Sequence, residues 1–249
     1  MKLSIVIPAH NEEAILGRCL ETVLQQVKNC GREPDVEIIV VNNASTDRTR
    51  EVALAYPGVV VVDEERKGLS HARQAGFLRS RGELVANVDA DNLMPAHWLP
   101  IVFNEFARHP KLVALYGPYV FYDLSRWENF QVRIFYWLGY LFYFFTHFIF
   151  NSAGMLQGGN FVVRRSALEK IDGFNTEIKF YGEDTDLARR LQKQGYIKFT
   201  FSLFMNSSGR RLKREGLVAS GWRYAVNYFW ILFFKRPFHC EAEKVGGGK

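Results

Sequence analysis

Short apolar runs alternate with helix-like segments between Leu3 and Val88. The apolar runs are LSIVIP, VEIIVV, GVVVVD and ELVANV, which begin at Leu3, Val36, Gly58 and Glu83. Because nearly every side chain in these runs is apolar, the predicted strands must be covered on both faces, as in parallel sheets packed between helices. The pattern therefore predicts an α/β fold with a parallel central sheet covered by helices on both faces.

Three helices are predicted between these strands. The second, STDRTREVALAY, opens behind a Ser/Thr/Asp cap, and the third, LSHARQAGFLRSRG, stops at Gly82. The first has apolar residues at helical spacing, namely Ile15, Leu16, Cys19, Leu20, Val23, Leu24 and Val27.

The pattern changes after residue 110. LVALYGPYV predicts another strand, GGNFVVRRSALEKIDGF a strand, turn and helix, and YGEDTDLARRLQKQG an amphipathic helix. Two long aromatic helices are predicted, at 126–151 and in WRYAVNYFWILFFKR. We predict one domain over residues 1–205, with halves 1–110 and 111–205, then a basic and aromatic extension over 206–240 and a disordered tail over 241–249.

Composition narrows the functional classes. The net charge of +6 and the pI of about 9.2 favour anionic partners: nucleic acid, phosphorylated small molecules or an acidic membrane surface. The three cysteines form no CxxC pair, so the sequence does not favour a disulfide framework or a zinc site. A reducing compartment fits this composition. The start, MKLSIVIPAHNEE, does not have the pattern of a signal peptide.

Polar motifs follow three of the predicted strands: AHNEE the first, NNASTD the second and DAD the fourth. Ligands of open α/β sheets bind beyond the carboxyl ends of the strands. We therefore expect a binding site at that edge of the sheet.

Asp89 and Asp91 follow a buried strand with one small residue between them. Residues two apart on an extended segment point the same way, so both carboxylates can converge on one point. Mg²⁺ binds one or two carboxylates and completes its shell with phosphates and water. The alternative is that the two acids only mark a turn.

Other polar residues also have two interpretations. Asn11, Glu12, Asn43 and Asp47 have groups that bond a base or ribose, but similar residues cap helices. Lys67 and Arg73 surround a predicted helix start, where backbone N–H groups attract phosphate. For Lys67 the alternative is a solvated surface charge, whereas Arg73 shares a helix face with Phe77.

Asp184 lies on the apolar face of the predicted amphipathic helix, together with Leu187, Ala188 and Leu191. Burial raises the proton affinity of a carboxylate, which suits a general base. The alternative is an acid of the first turn that complements the helix dipole, which fits Glu183 or Asp186 better.

The order of the motifs resembles the family 2 glycosyltransferases, which have the GT-A fold. The resemblance implies an α/β fold, Rossmann-like, with a mixed, mostly parallel central sheet and helices on both faces. The motifs are IVIPAHNEE, VVNNASTDRT, KGLSHARQAG, VDAD, GGNFVVRR, GFN and GEDTDLARRL, and together they cover about residues 1–200. The resemblance implies an inverting transferase that uses a nucleotide-diphospho-sugar donor and a divalent metal, Mg²⁺ or Mn²⁺.

The resemblance also assigns roles to residues by position. Asp184 would be the catalytic base, and Asp91 with Asp89 would bind the metal. Arg210 and Arg211, in SSGRRLKREG, would meet the diphosphate. The sugar and acceptor pocket would include Gly158, Gly159, Asn160 and Glu183. The donor would contact Pro8, Ala9, Asn11, Glu12, Asn43, Asp47, Lys67, Arg73, Asp89 and Ala90.

One motif departs from the family pattern. The family more often has VDDGSTD where this chain has VNNASTD. Asn43 therefore replaces an acid that usually contacts the base, which leaves the identity of the base open.

The aromatic helices suggest where the acceptor lies. Residues 134–150 are slightly short for a span, and Tyr and Trp prefer the membrane interface. Aromatic helices beside basic residues such as Arg210–Arg214 suit an anionic membrane surface. We therefore expect a cytoplasmic enzyme, peripheral to the inner face of the membrane, with a lipid or polyprenyl-linked acceptor. The alternatives are core helices or a dimer interface, with a water-soluble glycan acceptor.

Other functions fit the sequence less well. Nucleotidyl transfer shares the phosphate and metal chemistry but has no need for Asp184. A non-catalytic nucleotide-sugar-binding module would not require intact Asp89, Asp91 and Asp184. Nucleic-acid binding ranks last, because the aromatic residues lie in long apolar runs. We therefore expect no nucleic-acid partner.

Overall fold

The structure, a computed structural model, describes residues 1–150, 156–178, 182–216 and 221. The strands are Leu3–Ala9 (β1), Val36–Asn43 (β2), Val59–Glu64 (β3), Leu84–Val88 (β4), Leu112–Tyr116 (β5), Tyr119–Phe121 (β6), Asn160–Arg164 (β7), Tyr196–Phe199 (β8) and Met205–Ser207 (β9). The α-helices are Leu16–Asn29 (α1), Thr49–Leu54 (α2), Leu69–Arg79 (α3), Trp98–Arg108 (α4), Arg126–Phe150 (α5), Arg165–Glu169 (α6), Glu183–Leu191 (α7) and Arg210–Glu215 (α8). Short 3-10 helices lie at Glu33–Asp35 and Phe201–Leu203.

A seven-stranded sheet forms the centre, in the order β3-β2-β1-β4-β7-β5-β8. The pairs β3–β2, β2–β1, β1–β4 and β5–β8 are parallel, whereas β7 is antiparallel to both β4 and β5. Strands β6 and β9 pair in parallel as a small second sheet. The prediction of a mixed, mostly parallel sheet is confirmed.

Helices cover both faces of the central sheet, as predicted. Helices α1, α2 and α4 pack on one face through buried residues such as Leu20, Ala53 and Trp98. Helices α3, α6 and α7 pack on the other, where Phe77 and Leu168 are buried. All seven residues of β1 are buried, and their side chains alternate between the two layers: Ile5 and Ile7 face the first layer and Val6 faces the second.

Strand order places a crevice at one edge of the sheet. Strands β1 and β4 are neighbours in the sheet. From β1 the chain continues to β2 on one side, and from β4 it continues to β5 on the other side. Such a reversal of strand order leaves room for a ligand beyond the carboxyl ends of the two strands. Because β7 is antiparallel, its first residue, Asn160, pairs with Val88 at the end of β4. The residues that precede β7 therefore reach the same crevice.

The structure corrects some predicted elements. LVALYGPYV forms two strands, because the chain turns at Gly117–Pro118, and an added Cβ on Gly117 would lie 2.0 Å from the Leu203 carbonyl oxygen. Helix α2 starts at Thr49, because Thr46 and Asp47 form hydrogen bonds with the loop after β1. Helix α3 ends at Arg79, before Gly82. Helix α4 is not among the predicted elements. It contains Pro100 in its first turn, where proline is tolerated.

Helix α5 confirms the first predicted aromatic helix over 25 residues. In the described ranges, no helix combines the length and apolarity needed to cross a membrane. The predicted boundary at 205/206 falls inside β9, which pairs with β6. The second aromatic helix and the predicted disordered tail lie outside the described residues, apart from Gly221.

Candidate active site

Asp89 and Asp91 follow β4 directly and lie at the crevice, as their spacing predicts. The Asp89 carboxylate accepts a hydrogen bond from the Tyr119 hydroxyl at 3.0 Å. Oδ2 of Asp91 lies 3.4 Å from Nη2 of Arg210. Ala90, between the two acids, is buried in the core.

The surroundings of Asp91 favour a cation. Burial raises the pKa of Asp91 to about 7, and the negative charge of Asp89 raises it further, while Arg210 opposes the shift. Two neighbouring carboxylates are suitable ligands for Mg²⁺ or Mn²⁺, and a bound cation would favour the ionised form of Asp91. Among the described residues, no cluster of three or more His, Cys, Asp or Glu could hold a metal. Donor phosphates and water would therefore have to complete the coordination shell.

Arg73 of α3 is buried, with only 1% of its surface exposed. Its guanidinium donates to Asp184 Oδ1 at 2.9 Å and to the Gly158 carbonyl at 2.7 Å. It also lies 3.9 Å from Asp89 Oδ1 and over the ring of Phe161. The predicted face shared with Phe77 is confirmed, but these contacts leave Arg73 bound to carboxylates of the protein. We therefore assign it to the support of the site and not to direct phosphate contact.

Asp184 lies in the first turn of α7, after Gly182 with φ of 102°. Burial raises the pKa of Asp184 to about 7, Glu183 adds to the shift and Arg73 opposes it. Leu187 and Leu191 are buried, so the predicted inward face of the helix is confirmed. A carboxylate with a pKa near neutrality, fixed at a crevice, has the property that a general base requires.

Asp186 points elsewhere. Its carboxylate accepts hydrogen bonds from Arg189 at 3.1 Å and Arg190 at 2.7 Å. Arg190 in turn donates to the Ile171 carbonyl. Asp186 is therefore bound by two arginines of its own helix and is not a group of the crevice.

Gly158 and Gly159 lie directly against the two carboxylate groups. An added Cβ on Gly158 would lie 2.9 Å from Asp184 Oδ2, and one on Gly159 would lie 2.0 Å from Asp89 Cγ. Neither position has room for a side chain unless the neighbouring carboxylate moves, so only glycine lets the backbone pass this close to Asp89 and Asp184. Glu183 is beside them, with Oε1 3.8 Å from Arg73 Nη1.

Asn160 was predicted to line the same pocket, but its side chain is fully buried. It donates to the Leu203 carbonyl at 2.7 Å and accepts from the Trp98 indole at 2.8 Å. This placement corrects the prediction, because the side chain joins α4 to the segment before β9 and does not face the crevice.

The loops after β1 and β2 are hydrogen-bonded to each other. Oδ1 of Asn11, which has φ of 54°, accepts from the Thr46 amide at 2.8 Å. The Glu12 amide donates to Thr49 Oγ1 at 2.8 Å, and Asp47 Oδ2 accepts from the Glu13 amide at 3.1 Å. Pro8 and Ala9 end β1 just before these contacts. The predicted donor-binding loops thus form one wall of the crevice.

Asn43 is 4% exposed, and its amide binds the loop after β3. It donates to the carbonyls of Glu64 and Arg66 and accepts from the Gly68 amide at 2.8 Å. An aspartate could not donate to two carbonyls, so this departure from the family pattern has a structural reason. The amide therefore supports the loop that presents the exposed Lys67, rather than a base.

Arg210 and Arg211 have different surroundings. Arg210 reaches Glu12 and Asp91 in the crevice. Arg211 lies 3.3 Å from Glu215 on the same helix, α8. Of the two predicted diphosphate residues, the structure brings Arg210 to the carboxylates of the site.

Tyr119 and Asn92 are functional candidates that the sequence analysis missed. The Tyr119 hydroxyl accepts from the Gly159 amide at 2.7 Å and donates to Asp89. Asn92 is buried and donates to the Gly159 carbonyl at 2.6 Å. Both therefore hold Gly159 against Asp89. The Gly117–Pro118 turn is the one sequence signal that marks the chain before Tyr119 as something other than a regular strand.

Comparisons with known proteins identify the family of the chain. Residues 4–172 match the sequence model of glycosyl transferase family 2, which is more than half of the chain. The chain belongs to this family. Residues 144–209 also match the model described as the N-terminal domain of galactosyltransferase.

Family 2 relatives include proteins from distant organisms. "Probable glycosyltransferase YdaM" of Bacillus subtilis is 30% identical over 212 residues, which cover 80% of this chain and 48% of YdaM. "Dolichyl-phosphate beta-glucosyltransferase ALG5A" of Trichomonas vaginalis is 41% identical over 98 residues, which cover 36% of this chain and 30% of that protein. The chain therefore spans about half the length of YdaM.

Solved structures show the same fold. TarS 1–349 of S. aureus, in complex with UDP-GlcNAc, has a TM-score of 0.64 and 18% identity, covering 84% of this chain and 58% of that chain. The mannosyltransferase PcManGT of Pyrobaculum calidifontis, in complex with GDP-Man and Mn²⁺, has a TM-score of 0.62 and 20% identity, covering 90% and 64%. The family 2 chain described here thus has the GT-A fold that the resemblance implies.

Proposed function

We propose that the protein is an inverting glycosyltransferase that moves a sugar from a nucleotide-diphospho-sugar to an acceptor hydroxyl with a divalent metal. The observation that carries this proposal is the meeting of three elements at one crevice. Asp89 and Asp91 come from the end of β4, Asp184 from α7, and Gly158–Gly159 lies against Asp89 and Asp184. Family membership and the complexes of TarS and PcManGT support a nucleotide-sugar donor.

The residues divide the chemistry between two ends of the crevice. Asp184 takes the proton from the acceptor hydroxyl as it attacks the sugar on the face opposite the leaving group. Arg73 holds Asp184 in place through the 2.9 Å hydrogen bond. Asp91, with Asp89, would hold the metal, which when bound offsets the negative charge on the leaving diphosphate. Gly158 and Gly159 let the backbone lie directly against Asp184 and Asp89, so a sugar bound there would meet both groups without an intervening side chain.

Donor binding should depend on Asp91. The Asp91→Asn variant keeps the shape of the side chain but loses a charged metal ligand, so affinity for the donor with Mn²⁺ should fall by on the order of tenfold to 100-fold. Calorimetry with UDP- and GDP-sugars, with and without Mn²⁺, measures this change. Asp35→Asn is the matched control, because Asp35 precedes β2 at the opposite edge of the sheet. Equal Mn²⁺-dependent affinity in both variants would contradict the metal assignment.

The acceptor side of the proposal depends on the exposed face of α5. Six apolar residues form what we call the α5 stripe: Trp127, Phe130, Ile134, Trp137, Leu138 and Leu141, all of them exposed. At 100° per residue these positions fall within an arc of about 100°, the width of one apolar helix face. Asn129, Val132 and Tyr136 lie on the opposite side and contact the protein body or are buried there. The stripe therefore points away from the domain.

Basic residues lie next to the α5 stripe. The segment before α8 is tied to Asp123, since the Gly209 amide and the Ser208 hydroxyl both donate to its carboxylate. Asp123 lies three residues before α5, so the exposed Lys213 and Arg214 of α8 are brought to the start of the aromatic helix. Apolar aromatic surface beside exposed cations is the combination that binds an anionic membrane.

We therefore propose that the enzyme acts at the periphery of the inner face of the membrane, in the cytoplasm, on a lipid or polyprenyl-linked acceptor. A water-soluble acceptor would need neither the apolar stripe nor the adjacent cations. The name of the relative ALG5A, which specifies dolichyl phosphate, supports a lipid-linked acceptor. Gly221 lies against the ring of Phe135 of α5.

Membrane binding should require the α5 stripe. The variant with Trp127→Gln and Trp137→Gln keeps helix propensity but removes two aromatic side chains, so partition onto anionic liposomes should fall about tenfold or more. Leu78→Gln is the matched control, an equally exposed apolar residue on α3. Flotation at low and high salt measures both effects, and binding of the unaltered protein should weaken with salt. If the unaltered protein stays soluble at low salt, the stripe is a dimer contact and a soluble glycan becomes the better acceptor.

A further inference from the structure

Arg210 makes a bridge across the crevice. Its guanidinium donates to both carboxylate oxygens of Glu12, with Nη1 2.9 Å from Oε2 and Nη2 bonded to Oε1. The same Nη2 lies 3.4 Å from Oδ2 of Asp91. We call these contacts the Arg210 bridge. It joins α8 to the loop after β1 and to one of the two carboxylates proposed to hold the metal.

Both ends of the bridge are held in place. On one side, Asp123 accepts from the Gly209 amide at 2.5 Å, which fixes the residue before Arg210. On the other, the Leu93 amide donates to the Asn206 carbonyl at 2.7 Å, which ties the loop that carries Asp91 to β9. Arg210 therefore sits beside Asp91 because the backbone on both sides is fixed.

A guanidinium in this place has the same electrostatic role as a metal ion. It is a cation bound to carboxylate oxygens, and Oδ2 of Asp91 would be a ligand for the metal. Arginine forms strong bidentate bonds with phosphates as well as with carboxylates. The diphosphate of a donor is therefore a competing partner for Arg210.

We propose that Arg210 takes the place of the metal in the ligand-free protein, so that metal binds weakly until the donor diphosphate draws Arg210 away from Asp91 and Glu12. This inference rests on the metal site of the proposed function. It makes the entry of metal and donor one coupled event. It also gives Glu12 a role, which is to hold Arg210 at the crevice between reaction cycles.

Mn²⁺ binding without donor tests the inference, because it does not depend on catalysis. In Arg210→Met, Mn²⁺ alone should bind about tenfold more tightly than in the unaltered protein, a change of about 1.4 kcal/mol. Arg210→Lys keeps the charge but cannot form the bidentate bridge, so Mn²⁺ affinity should rise by a smaller factor. Arg108→Met is the control, because Arg108 is an exposed arginine at the end of α4, and this variant should leave Mn²⁺ affinity unchanged. Electron paramagnetic resonance of free Mn²⁺ gives each dissociation constant.

The outcomes separate this inference from the proposed function. Unchanged Mn²⁺ affinity in Arg210→Met would overturn it. If Mn²⁺ affinity rises in Arg210→Met but not in Arg210→Lys, the inference would also be overturned. The positive charge alone would then explain the effect, without the bidentate bridge. If Mn²⁺ fails to bind the unaltered protein even with UDP or GDP present, the metal site itself is wrong. If Mn²⁺ binds with nucleotide but the Arg210 variants do not differ, only the role of Arg210 is wrong.

Discussion

Asp184→Asn should bind the donor with Mn²⁺ as the unaltered protein does and lose about 10²–10⁴-fold of its transfer rate, the usual contribution of general acid–base catalysis. Asparagine is nearly isosteric and still accepts the hydrogen bond from Arg73 through its carbonyl oxygen. It cannot remove a proton from an acceptor hydroxyl. Product formation under donor saturation, together with calorimetry of donor binding, separates loss of the base from loss of the site.

Asp186→Asn provides the control for this prediction. Asp186 lies two residues further on α7, but its carboxylate is bound by Arg189 and Arg190. Its substitution should lower stability and leave transfer largely intact. A near-normal rate in Asp184→Asn would refute the assignment, and Glu183 would then be the remaining candidate at the crevice, since it lies 3.8 Å from Arg73.

The pH dependence of the transfer rate should reflect the ionisation of Asp184. Asp184 has a pKa raised to about 7, mainly by burial, and only its ionised form can accept a proton. The rate should therefore be steady above about pH 7 and fall roughly tenfold per pH unit below it. The transfer rate should be measured at saturating Mn²⁺ and donor, because bound Mn²⁺ keeps Asp91 ionised. A flat profile from pH 5 to 8 would contradict the assignment.

The edge of the sheet that holds the site could be predicted because local patterns determine it. Buried runs such as those of β1 and β4 predict parallel strands, and parallel strands place their carboxyl ends together. The position of Asp89 and Asp91 follows from that rule alone. The inward face of α7 likewise follows from the spacing of Leu187 and Leu191.

The contacts within the site could not be predicted, because they join residues far apart in the chain. Arg73 and Asp184 are 111 residues apart, and no local pattern links them. Gly159 reaches Asp89 only because β7 runs antiparallel to β4, whereas the preceding strands indicate parallel pairing. The backbone partners of the buried Asn43 and Asn160 amides could not be predicted either, because they lie 21 to 43 residues away in the chain.

Arg73→Met should destabilise the protein by about 3–5 kcal/mol at pH 8, the usual cost of removing one partner from a buried ion pair. Methionine fills much of the space of the arginine stem but leaves no cation beside the Asp184, Asp89 and Glu183 carboxylates. Arg73 now contacts Asp184 at 2.9 Å and lies within 4 Å of the other two. Urea unfolding of both proteins gives the difference in the free energy of unfolding.

The loss of stability caused by Arg73→Met should be larger at high pH than at low pH. Without the guanidinium, the folded-state pKa of Asp184 rises further above its unfolded value, so the folded state binds protons more strongly than the unfolded state. Stability then falls as the pH rises from about 4 through the folded pKa, and the loss should be smaller at pH 5 than at pH 8. Arg50→Met is the control, because the exposed Arg50–Asp63 pair should contribute less than about 1 kcal/mol at either pH. If Arg73→Met costs no more than Arg50→Met, or costs the same at both pH values, Arg73 does not balance the carboxylates of the crevice.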